Sequence, residues 1–320
     1  MWRVLTSIVL ASLTLASGDL HAQPYPNRPI KIVIAFPPGG PPDIVARVLA
    51  PVVGERLGQS VIVENRVGAS GFIGTGYVSQ SVADGYTIMV GSIATHATNA
   101  AMYKQLPYDP IAGFTPVTLL AETPIVLVAN PKFPAKSMPE MIELAKKGNI
   151  AFGSNSYGST AHLSAELLQL RAGIKMTHVP YKGSTPMLTD LIGGQIPVAF
   201  DNLPPSLPHI RDGRIRILAV SSAQRSPSFP QTPTFAESGI KDYSASAWYG
   251  IFGPPNLPRP IVDALNSAFT AALAKPEIKT RLEELGLTVV PGGPDVLAAK
   301  VASEIKTWLS VVDTNGIERQ

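Results

Sequence analysis

Apolar, β-branched runs alternate along the first third of the chain with segments of helical spacing. The runs span 30–36, 60–64 and 86–91, and helical patterns follow the first two. The first helical pattern places its apolar residues on one face: Ile44, Val45, Val48, Leu49 and Val52. Strands that alternate with helices pair in parallel and are covered by helices on both faces. The pattern therefore predicts an α/β unit.

The same alternation restarts after residue 137. The pattern predicts strands at 150–153, 176–179, 198–201 and 217–221, with helices at 138–147, 161–171, 186–193 and 207–212. Three further helical patterns follow between residues 261 and 311, the last entered through Pro294-Asp295. The chain therefore contains a second α/β unit and a helical closing region.

Two extended segments are too long or too irregular for ordinary strands. One runs from Val117 to Asn130 with Pro124 in its middle, and the other covers 243–252. A strand that crosses from one domain to another has this character. Two crossings return the C-terminal part to the first domain, which predicts lobe 1 from 23–122 plus 248–320 and lobe 2 from 123–247. A hinged cleft then separates the lobes.

Four loops follow the carboxyl ends of predicted strands and should converge on that cleft: 37–43, 92–96, 154–160 and 181–185. In the first, a strand turns through Pro37-Pro38-Gly39-Gly40 into a helix, whose first N–H groups favour an anion. The third is dense in hydroxyl residues before a helix. Its alternative interpretation is an ordinary helix cap with a flexible turn.

Composition narrows the class of protein. The chain has 320 residues, 45% hydrophobic and 15% charged, which is ample for two folded domains. A net charge of +3 and a pI near 9.0, without a basic cluster interleaved with aromatic residues, argue against nucleic-acid binding. The absence of cysteine excludes thiolate chemistry, disulfides and cysteine-based zinc sites.

The first residues have the form of a signal peptide. Arg3 is followed by an apolar segment from Val4 to Ala16, and small and polar residues lead to Ala22. We expect cleavage after Ala22 and a periplasmic mature protein; an uncleaved membrane anchor is the alternative. No later apolar run reaches the roughly 18 residues that a transmembrane span needs.

Signals for enzymatic chemistry are weak. The glycines at 68, 71 and 74 are spaced GxxGxxG rather than GxGxxG, which favours close helix packing over a dinucleotide site. The histidines lie far apart without a metal-ligand pair, and we expect no cofactor, no metal and no enzyme activity. The alternative from another class is a secreted α/β hydrolase with one of three serines and one of two histidines: Ser154, Ser156 or Ser159 with His96 or His162.

Seven motifs occur in order over essentially the whole mature chain: Tyr25-Pro26-x-Arg28-Pro29-Ile30, Phe36-Pro37-Pro38-Gly39-Gly40, Val61-Ile62-Val63-Glu64-Asn65-Arg66, Gly71-x-x-Gly74, Asp84-Gly85-Tyr86-Thr87, Val179-Pro180-Tyr181-Lys182-Gly183 and Trp248-Tyr249-Gly250. Together they resemble the Bug family, the extracytoplasmic solute receptors of tripartite tricarboxylate transporters. The resemblance implies a two-lobed periplasmic-binding-protein fold of type II. It also implies a monomer that binds a small carboxylate through backbone N–H groups and bridging waters, and that serves a membrane permease or a membrane sensor.

The resemblance places ligand-binding positions on the four loops and at the end of one further strand. The expected residues are Phe36, Pro38, Gly39, Gly40, Asp43, Ser92, Thr95, His96, Ser154, Ser159, Thr160, Tyr181 and Asp201. Lys182 is a further candidate for an anion contact. Two interpretations stay open for Asp201, because a carboxylate repels an anion unless a donor intervenes. It either organises the hinge and loops or accepts a hydrogen bond from a donor group of the ligand.

The chain departs from the family pattern at Pro41 and Pro42. The family usually has small or hydroxyl residues there, whereas proline offers neither a hydroxyl nor an N–H. The backbone donors expected in this loop are therefore Gly39, Gly40 and Asp43. One missing donor to a charged group costs on the order of 1.5–3 kcal/mol. An aromatic mono- or dicarboxylate that rests on Phe36 is thus a hypothesis beside the aliphatic di- and tricarboxylates typical of the family.

Overall fold

The computed structural model describes residues 25–241, 243 and 245–320. The predicted signal peptide and its cleavage after Ala22 lie outside these residues. The strands are β1 (Ile30–Ile34), β2 (Val61–Asn65), β3 (Thr87–Ser92), β4 (Thr115–Ala129), β5 (Ile150–Ser154), β6 (Met176–Pro180), β7 (Val198–Asn202), β8 (Arg216–Val220), β9 (Ser246–Gly253) and β10 (Thr288–Gly292). The α-helices are α1 (Pro41–Leu57), α2 (Phe72–Ser79), α3 (Asn99–Met102), α4 (Met138–Lys147), α5 (Thr160–Ala172), α6 (Ser184–Gly193), α7 (Leu203–Arg211), α8 (Arg259–Leu273), α9 (Pro276–Glu284) and α10 (Pro294–Thr314).

The strands form one curled, mixed sheet in the order β2-β1-β3-β9-β4-β7-β5-β6. In the first strand group, β1 is parallel to β2 and β3, while β9 is antiparallel to β3 and β4, and β10 is antiparallel to β4. In the second strand group, β5 is parallel to β6 and β7, while β4 is antiparallel to β7 and β8. The α/β fold predicted from the alternating pattern is confirmed.

Strand β4 belongs to both groups and changes partners at one step of the chain. Pro124 is opposite Ser246 of β9, and the next residue, Ile125, is opposite Asn202 of β7. A proline cannot donate to a strand ladder, so it is accommodated best where pairing changes. The long apolar run with its internal proline is therefore one strand that serves both strand groups.

Ser221 joins the two extended segments at this step. Its Oγ accepts a hydrogen bond from Ile125 N–H (2.8 Å) and donates to Ala245 O. Its own N–H donates to Ile125 O (2.8 Å), and its carbonyl accepts from Ala245 N–H (3.0 Å). Ser221 has no exposed surface. One buried serine therefore satisfies backbone groups of both segments where they pass between the strand groups.

The glycine-rich stretch at 68–74 has the packing role that its spacing predicted. A Cβ on Gly74 would lie 2.8 Å from Arg66 O and 2.9 Å from Ala35 Cα. Both distances are shorter than van der Waals contact, so helix α2 approaches β1 as closely as it does only because residue 74 has no side chain.

Three elements differ from the sequence-based prediction. The predicted 92–96 loop is helical from Ala94, because Thr95 Oγ1 accepts a hydrogen bond from Ser92 N–H (3.0 Å) and starts the turn. Helix α7 begins at Leu203 rather than 207, since its early prolines lie in the first turn, where no N–H is needed. Strand β10 was not predicted; it is short, half-buried and irregularly paired. None of the helices in the described part of the chain is long and apolar enough to cross a membrane.

Candidate functional site

The segment Phe36–Asp43, here called the proline loop, connects β1 to α1 and is organised by one carboxylate. Asp43 is only 2% exposed. Its Oδ2 accepts hydrogen bonds from Gly39 N–H and Arg47 Nε, both 2.9 Å, and its Oδ1 accepts one from Asn65 Nδ2 at 3.0 Å. Asn65 Nδ2 also donates to Phe36 O at 3.1 Å. These hydrogen bonds hold the loop in one conformation and use several of its polar groups without a ligand.

This network changes which donors the proline loop can offer. Gly39 N–H was one of the backbone donors expected for a ligand, and it is used inside the loop by Asp43. Pro38, Pro41 and Pro42 have no N–H. Gly40, the residue before α1, has no side-chain cap, and its N–H donates no hydrogen bond within the described residues. The N-terminus of α1 therefore offers fewer backbone donors than the glycine pair suggested.

Electrostatics keep Asp43 ionised. Burial acts to raise the pKa of Asp43, but the hydrogen bonds from Arg47, Gly39 and Asn65 and the charge of Arg47 outweigh it and hold the pKa below its usual range. A carboxylate in the first turn also complements the helix dipole of α1. Asp43 thus acts as the organiser of the proline loop, and its charge is already compensated.

Phe36 and Thr95 meet over Gly71. A Cβ on Gly71 would lie 3.2 Å from Phe36 Cζ and 3.3 Å from Thr95 Cγ2, and Gly71 has a positive φ of 91°. The Phe36 ring is half-buried, whereas Pro37, Pro38 and Gly39 are exposed. The structure thus brings two of the expected site residues, from different loops, to one apolar spot beside the proline loop.

Ser92 and His96 lie deeper than their place after a strand suggested. His96 has no exposed surface and stacks on Phe252, with ring centroids 3.8 Å apart. Its Nδ1 is hydrogen-bonded to Thr95 Oγ1 (2.8 Å). Burial lowers the pKa of His96 to about 3, so the ring is neutral. Ser92 Oγ and His96 Nε2 have no hydrogen-bond partner among the described residues. His96 belongs to the core beneath the loops.

The loop between β5 and α5, residues 154–160, uses its hydroxyls mostly for itself. Ser154 is fully buried, and its Oγ donates to Ser156 O (3.0 Å) and is hydrogen-bonded to His178 Nε2 (2.7 Å). Ser159 caps α5 by accepting from His162 N–H (3.2 Å). Thr160 begins α5 and is 6% exposed. The helix-cap interpretation therefore applies to Ser159, and Ser154 supports the loop from below.

Two stacked imidazoles lie under this loop. The rings of His162 and His178 are 3.9 Å apart and nearly parallel, and Phe152 stacks against both, with its ring centroid 4.9 Å from His178 and 6.4 Å from His162. His162 Nδ1 accepts from Gly158 N–H (3.1 Å). Burial and the neighbouring His162 lower the pKa of His178 to about 3. His178, which is neutral, and His162 stacked on it therefore support the 154–160 loop.

The 181–185 turn is tied directly to the 154–160 loop. Tyr181 N–H donates to Ser154 O (3.0 Å), and Gly183 N–H donates to Asn155 O (2.8 Å). Because β5 and β6 are parallel neighbours, the loops that lead into α5 and α6 leave the same sheet edge, although α5 packs on one face of the sheet and α6 on the other. Tyr181 OH donates to Asp190 Oδ2 (2.8 Å), so its hydroxyl is engaged within its own lobe segment. Lys182 between them is exposed.

Asp201 lies at the end of β7 with no exposed surface. It accepts hydrogen bonds from Ser184 Oγ (2.6 Å), at the start of α6, and from Ser206 Oγ (2.9 Å) in α7. Burial raises the pKa of Asp201 to about 7, against the lowering effect of these hydrogen bonds and of Asn202 N–H. Of the two interpretations that the sequence left open, the geometry favours an organiser of the loops.

The hydrolase alternative lacks an assembled site. The predicted bases are engaged elsewhere: His96 contacts Thr95, and His162 accepts from Gly158 N–H. The serine that does reach a histidine is Ser154, which is fully buried and bonded to His178. A nucleophile needs access to its substrate. Within the described residues, no group of three or more His, Cys, Asp or Glu side chains could hold a metal ion.

Sequence reasoning missed four supporting residues: Asn65, His178, Ser184 and Ser206. Asn65 ends β2 beside the end of β1, and the shared edge of parallel strands could have pointed to it. His178 and Ser206 carry no such signal, because their partners are distant in sequence and are met only through strand pairing and helix packing. These four residues hydrogen-bond to site residues or their neighbours and hold the loops in place, and only the structure distinguishes them from residues on the loop surface.

A mixed sheet shared by two strand groups, each with loops at the ends of its parallel strands, is the architecture of two-lobed periplasmic solute-binding proteins. An adipate-bound protein of R. palustris, Rpa4515, has this fold, with a TM-score of 0.85 and 38% identity, covering 92% of this chain and 100% of that chain. MatC from Rhodopseudomonas palustris, with bound malate, has a TM-score of 0.79 and 34% identity, covering 90% of this chain and 100% of that chain.

Within that class the family follows from the sequence itself. The chain belongs to the tripartite tricarboxylate transporter family receptors, TctC, whose family model matches residues 45–317. Protein BugT of Bordetella pertussis is 39% identical over 312 residues, which cover 97% of this chain and 95% of BugT. The resemblance to the Bug family is thereby confirmed. These proteins are extracytoplasmic substrate-binding receptors, and this chain is accordingly not an enzyme.

Proposed function

We propose that this protein captures a small carboxylate in the cleft between two lobes and delivers it to a tripartite tricarboxylate-type permease. The lobes are 23–122 plus 248–320 and 123–247, and closure occurs about the two segments that Ser221 joins. The ligand, an aliphatic di- or tricarboxylate or an aromatic carboxylate, is bound without covalent chemistry. Ligand shifts the population toward the closed form, because the closed form makes the additional contacts.

The observation that carries this proposal is that the loops leading into helices α5 and α6 meet at one edge of the sheet. The loops are joined by the hydrogen bonds from Tyr181 N–H to Ser154 O and from Gly183 N–H to Asn155 O. Both helices start at this edge, where their N-terminal N–H groups and the positive ends of their dipoles favour an anion. The α6 terminus has no side-chain cap, and Asn155 Oδ1 is buried without a hydrogen-bond partner among the described residues. These groups are suited to a carboxylate and to its donor groups or bridging waters.

A substitution of the exposed Ser156 by Glu tests this site. Calorimetric titration of the mature protein with adipate, malate, citrate and benzoate should identify at least one ligand that is recovered chemically unchanged. Ser156→Glu should then weaken its binding at least tenfold, because like charges in close proximity repel. Ser303→Glu on the exposed face of α10 is the matched control and should bind normally. Equal binding by both variants would place the carboxylate elsewhere, and no binding by the parent protein to any acid would contradict the proposed function itself.

We propose further that the proline loop contacts a less polar part of the ligand. With Gly39 N–H used by Asp43 and no N–H on its prolines, this loop offers a second carboxylate fewer donors than expected, with Gly40 N–H still available. Phe36 and the exposed prolines provide an apolar surface instead. Benzoate or adipate should therefore bind at least tenfold more tightly than citrate, which carries three carboxylates. Citrate as the preferred ligand would contradict this preference and would leave the receptor function intact.

The mature protein is proposed to act in the periplasm as a monomer, after removal of residues 1–22. Family membership supports an extracytoplasmic place, and the apolar N-terminal segment supports export. N-terminal sequencing of protein recovered from the periplasmic fraction tests the cleavage site. A mature chain that begins at residue 23 is expected; retention of the full segment in the membrane fraction would support an anchor.

A further inference from the structure

Helix α10 and the residues after it contact both proposed lobes and lie outside the two extended segments that cross between them. On the first strand group, Leu297 of α10 lies over β9: a Cβ on Gly250 would be 2.8 Å from Leu297 Cδ1. At its other end, Asn315 Nδ2 donates to Glu166 O in α5 (2.9 Å). Tyr157, in the loop before α5, donates its hydroxyl proton to Glu318 O (3.2 Å). These two hydrogen bonds connect proposed lobe 1 to proposed lobe 2.

Residues 315–320 are held firmly on the lobe 1 side. Gln320 N–H donates to Met102 O (2.8 Å), and Lys104 N–H donates to Gln320 O (2.9 Å), which is a two-way backbone pairing. Ile317 N–H donates to Val312 O (3.0 Å), folding the segment back on the end of α10. Because of these bonds, residues 315–320 are fixed to lobe 1, and a contact between them and lobe 2 is a contact between the two lobes.

A packing contact accompanies the two hydrogen bonds. A Cβ on Gly158 would lie 3.2 Å from Met102 Cγ, and Met102 is fully buried. Met102 is also the residue whose carbonyl receives the Gln320 N–H. The 154–160 loop of lobe 2 therefore rests on the short helix α3 of lobe 1 at the place where the 315–320 segment is attached.

Contacts of this kind respond to rotation of one lobe against the other. Hinge closure changes few dihedral angles in the crossing segments, whereas contacts made by other parts of the two lobes are formed or broken as a group. Open and closed forms of such proteins differ by only a few kcal/mol, so that single hydrogen bonds change their populations.

We propose that Asn315, Tyr157 and the 315–320 segment form a latch that stabilises the closed form before ligand is bound. This inference rests on the proposed hinge closure, and it assigns to the end of α10 a part in setting ligand affinity and release. Neither latch residue needs to touch the ligand: Asn315 acts through the α5 backbone, and Tyr157 through its hydroxyl.

The test measures the distance between the lobes in ligand-free protein. The chain contains no cysteine, so spin labels can be attached uniquely to Val82→Cys and Lys147→Cys, both exposed positions in different lobes. Pulsed electron resonance on the parent should give mainly the shorter, closed distance. Asn315→Ala should raise the share of the longer distance about fivefold, as expected for the loss of one hydrogen bond.

Two further variants keep the test decisive. Tyr157→Phe removes only a hydroxyl from a side chain that is 37% exposed, so folding is unaffected, and it should raise the open share as Asn315→Ala does. Thr307→Ala is the matched control on α10, because its hydroxyl bonds only Ser303 O in the same helix. Distance distributions of Asn315→Ala and Tyr157→Phe that equal those of parent and Thr307→Ala would overturn the latch. Because this readout uses no ligand, it is independent of carboxylate binding, which is tested separately by adding adipate to the parent.

Discussion

Asp43 in the proline loop and Asp201 beside the 181–185 turn are both almost fully buried, yet their carboxylates have different partners. Asp43 is paired with Arg47 and receives N–H donors from Gly39 and Asn65, and its pKa is lowered. Asp201 has two hydroxyl donors and a backbone N–H, and burial raises its pKa to about 7. Burial alone therefore does not set the charge of a loop-organising aspartate; the partners do.

This difference gives the proline loop and the loops at 154–160 and 181–185 different responses to pH. The hydrogen bonds and the charge of Arg47 lower the pKa of Asp43, so the proline loop keeps its charged network at neutral pH. The 181–185 turn is supported by Asp201, a carboxyl that titrates near neutral pH, and the 154–160 loop by His178, which stays neutral. The following experiments separate the two organisers.

Asp43→Ala should have the largest effect on stability. It removes the acceptor of Gly39 N–H, Asn65 Nδ2 and Arg47 Nε, and we expect a loss of about 3 kcal/mol in the free energy of unfolding at pH 7. Urea unfolding measures this loss. Asp263→Ala, which breaks the exposed Arg259–Asp263 pair in α8, is the control and should cost less than about 1 kcal/mol. Similar losses in both variants would mean that Asp43 is an ordinary surface ion pair.

Asp201→Asn should stabilise the protein at alkaline pH and leave it nearly unchanged at pH 4. Below about pH 4 the carboxyl is protonated in both the folded and the unfolded chain, so burying it carries no ionic penalty. As pH rises toward 7, the unfolded chain ionises while the folded chain retains its proton, and native stability falls. The advantage of the variant should therefore grow from pH 4 to 7, level off near pH 8 and exceed about 2 kcal/mol there. Thermal unfolding across this range measures it, and a constant difference would show that Asp201 ionises normally.

His178→Phe should reduce the loss of stability in acid. The folded pKa of His178 is about 3, whereas an unfolded histidine titrates near 6.5, so the unfolded chain binds the extra proton as pH falls below 6.5. Between pH 8 and pH 5, the free energy of unfolding should therefore fall by about 1.5 kcal/mol less in the variant than in the parent. His209→Phe is the comparison: burial lowers the pKa of this ring too, but less than that of His178, so its effect should have the same sign and be smaller. If His178→Phe lost as much stability in acid as the parent, the His178 ring would not be neutral and buried in the folded protein.

Pro41→Ser should have the smallest effect on stability and should act on ligand choice. It restores an N–H and a hydroxyl at the first position of α1, and we expect malate or citrate binding to tighten up to about tenfold, with less than about 1 kcal/mol change in unfolding. Pro276→Ser, at the first position of α9, is the matched control. No gain for any polycarboxylate would mean that the proline loop does not face the ligand.

Much of the architecture could be predicted from local pattern. The sequence pattern predicts strand β1, the proline-led start of α1 and the long run around Pro124, because apolar periodicity and proline geometry act over a few residues. Local pattern does not predict strand β10 or the helical turn at Ala94–Thr98. The first depends on pairing with β4 across 165 or more residues, and the second depends on one hydroxyl, that of Thr95, accepting Ser92 N–H.

The sequence by itself determined the α/β alternation, three of the four predicted loops at strand ends and the family. It could not assign each polar residue in those loops to a ligand or to the loop's own support. Tertiary structure decided that Gly39 N–H bonds to Asp43, that His96 is buried against Phe252, and that Ser154 rests on His178. The physical reason is that a hydroxyl, amide or imidazole has the same chemistry wherever it stands. Only its neighbours in space determine whether its hydrogen bonds are already used.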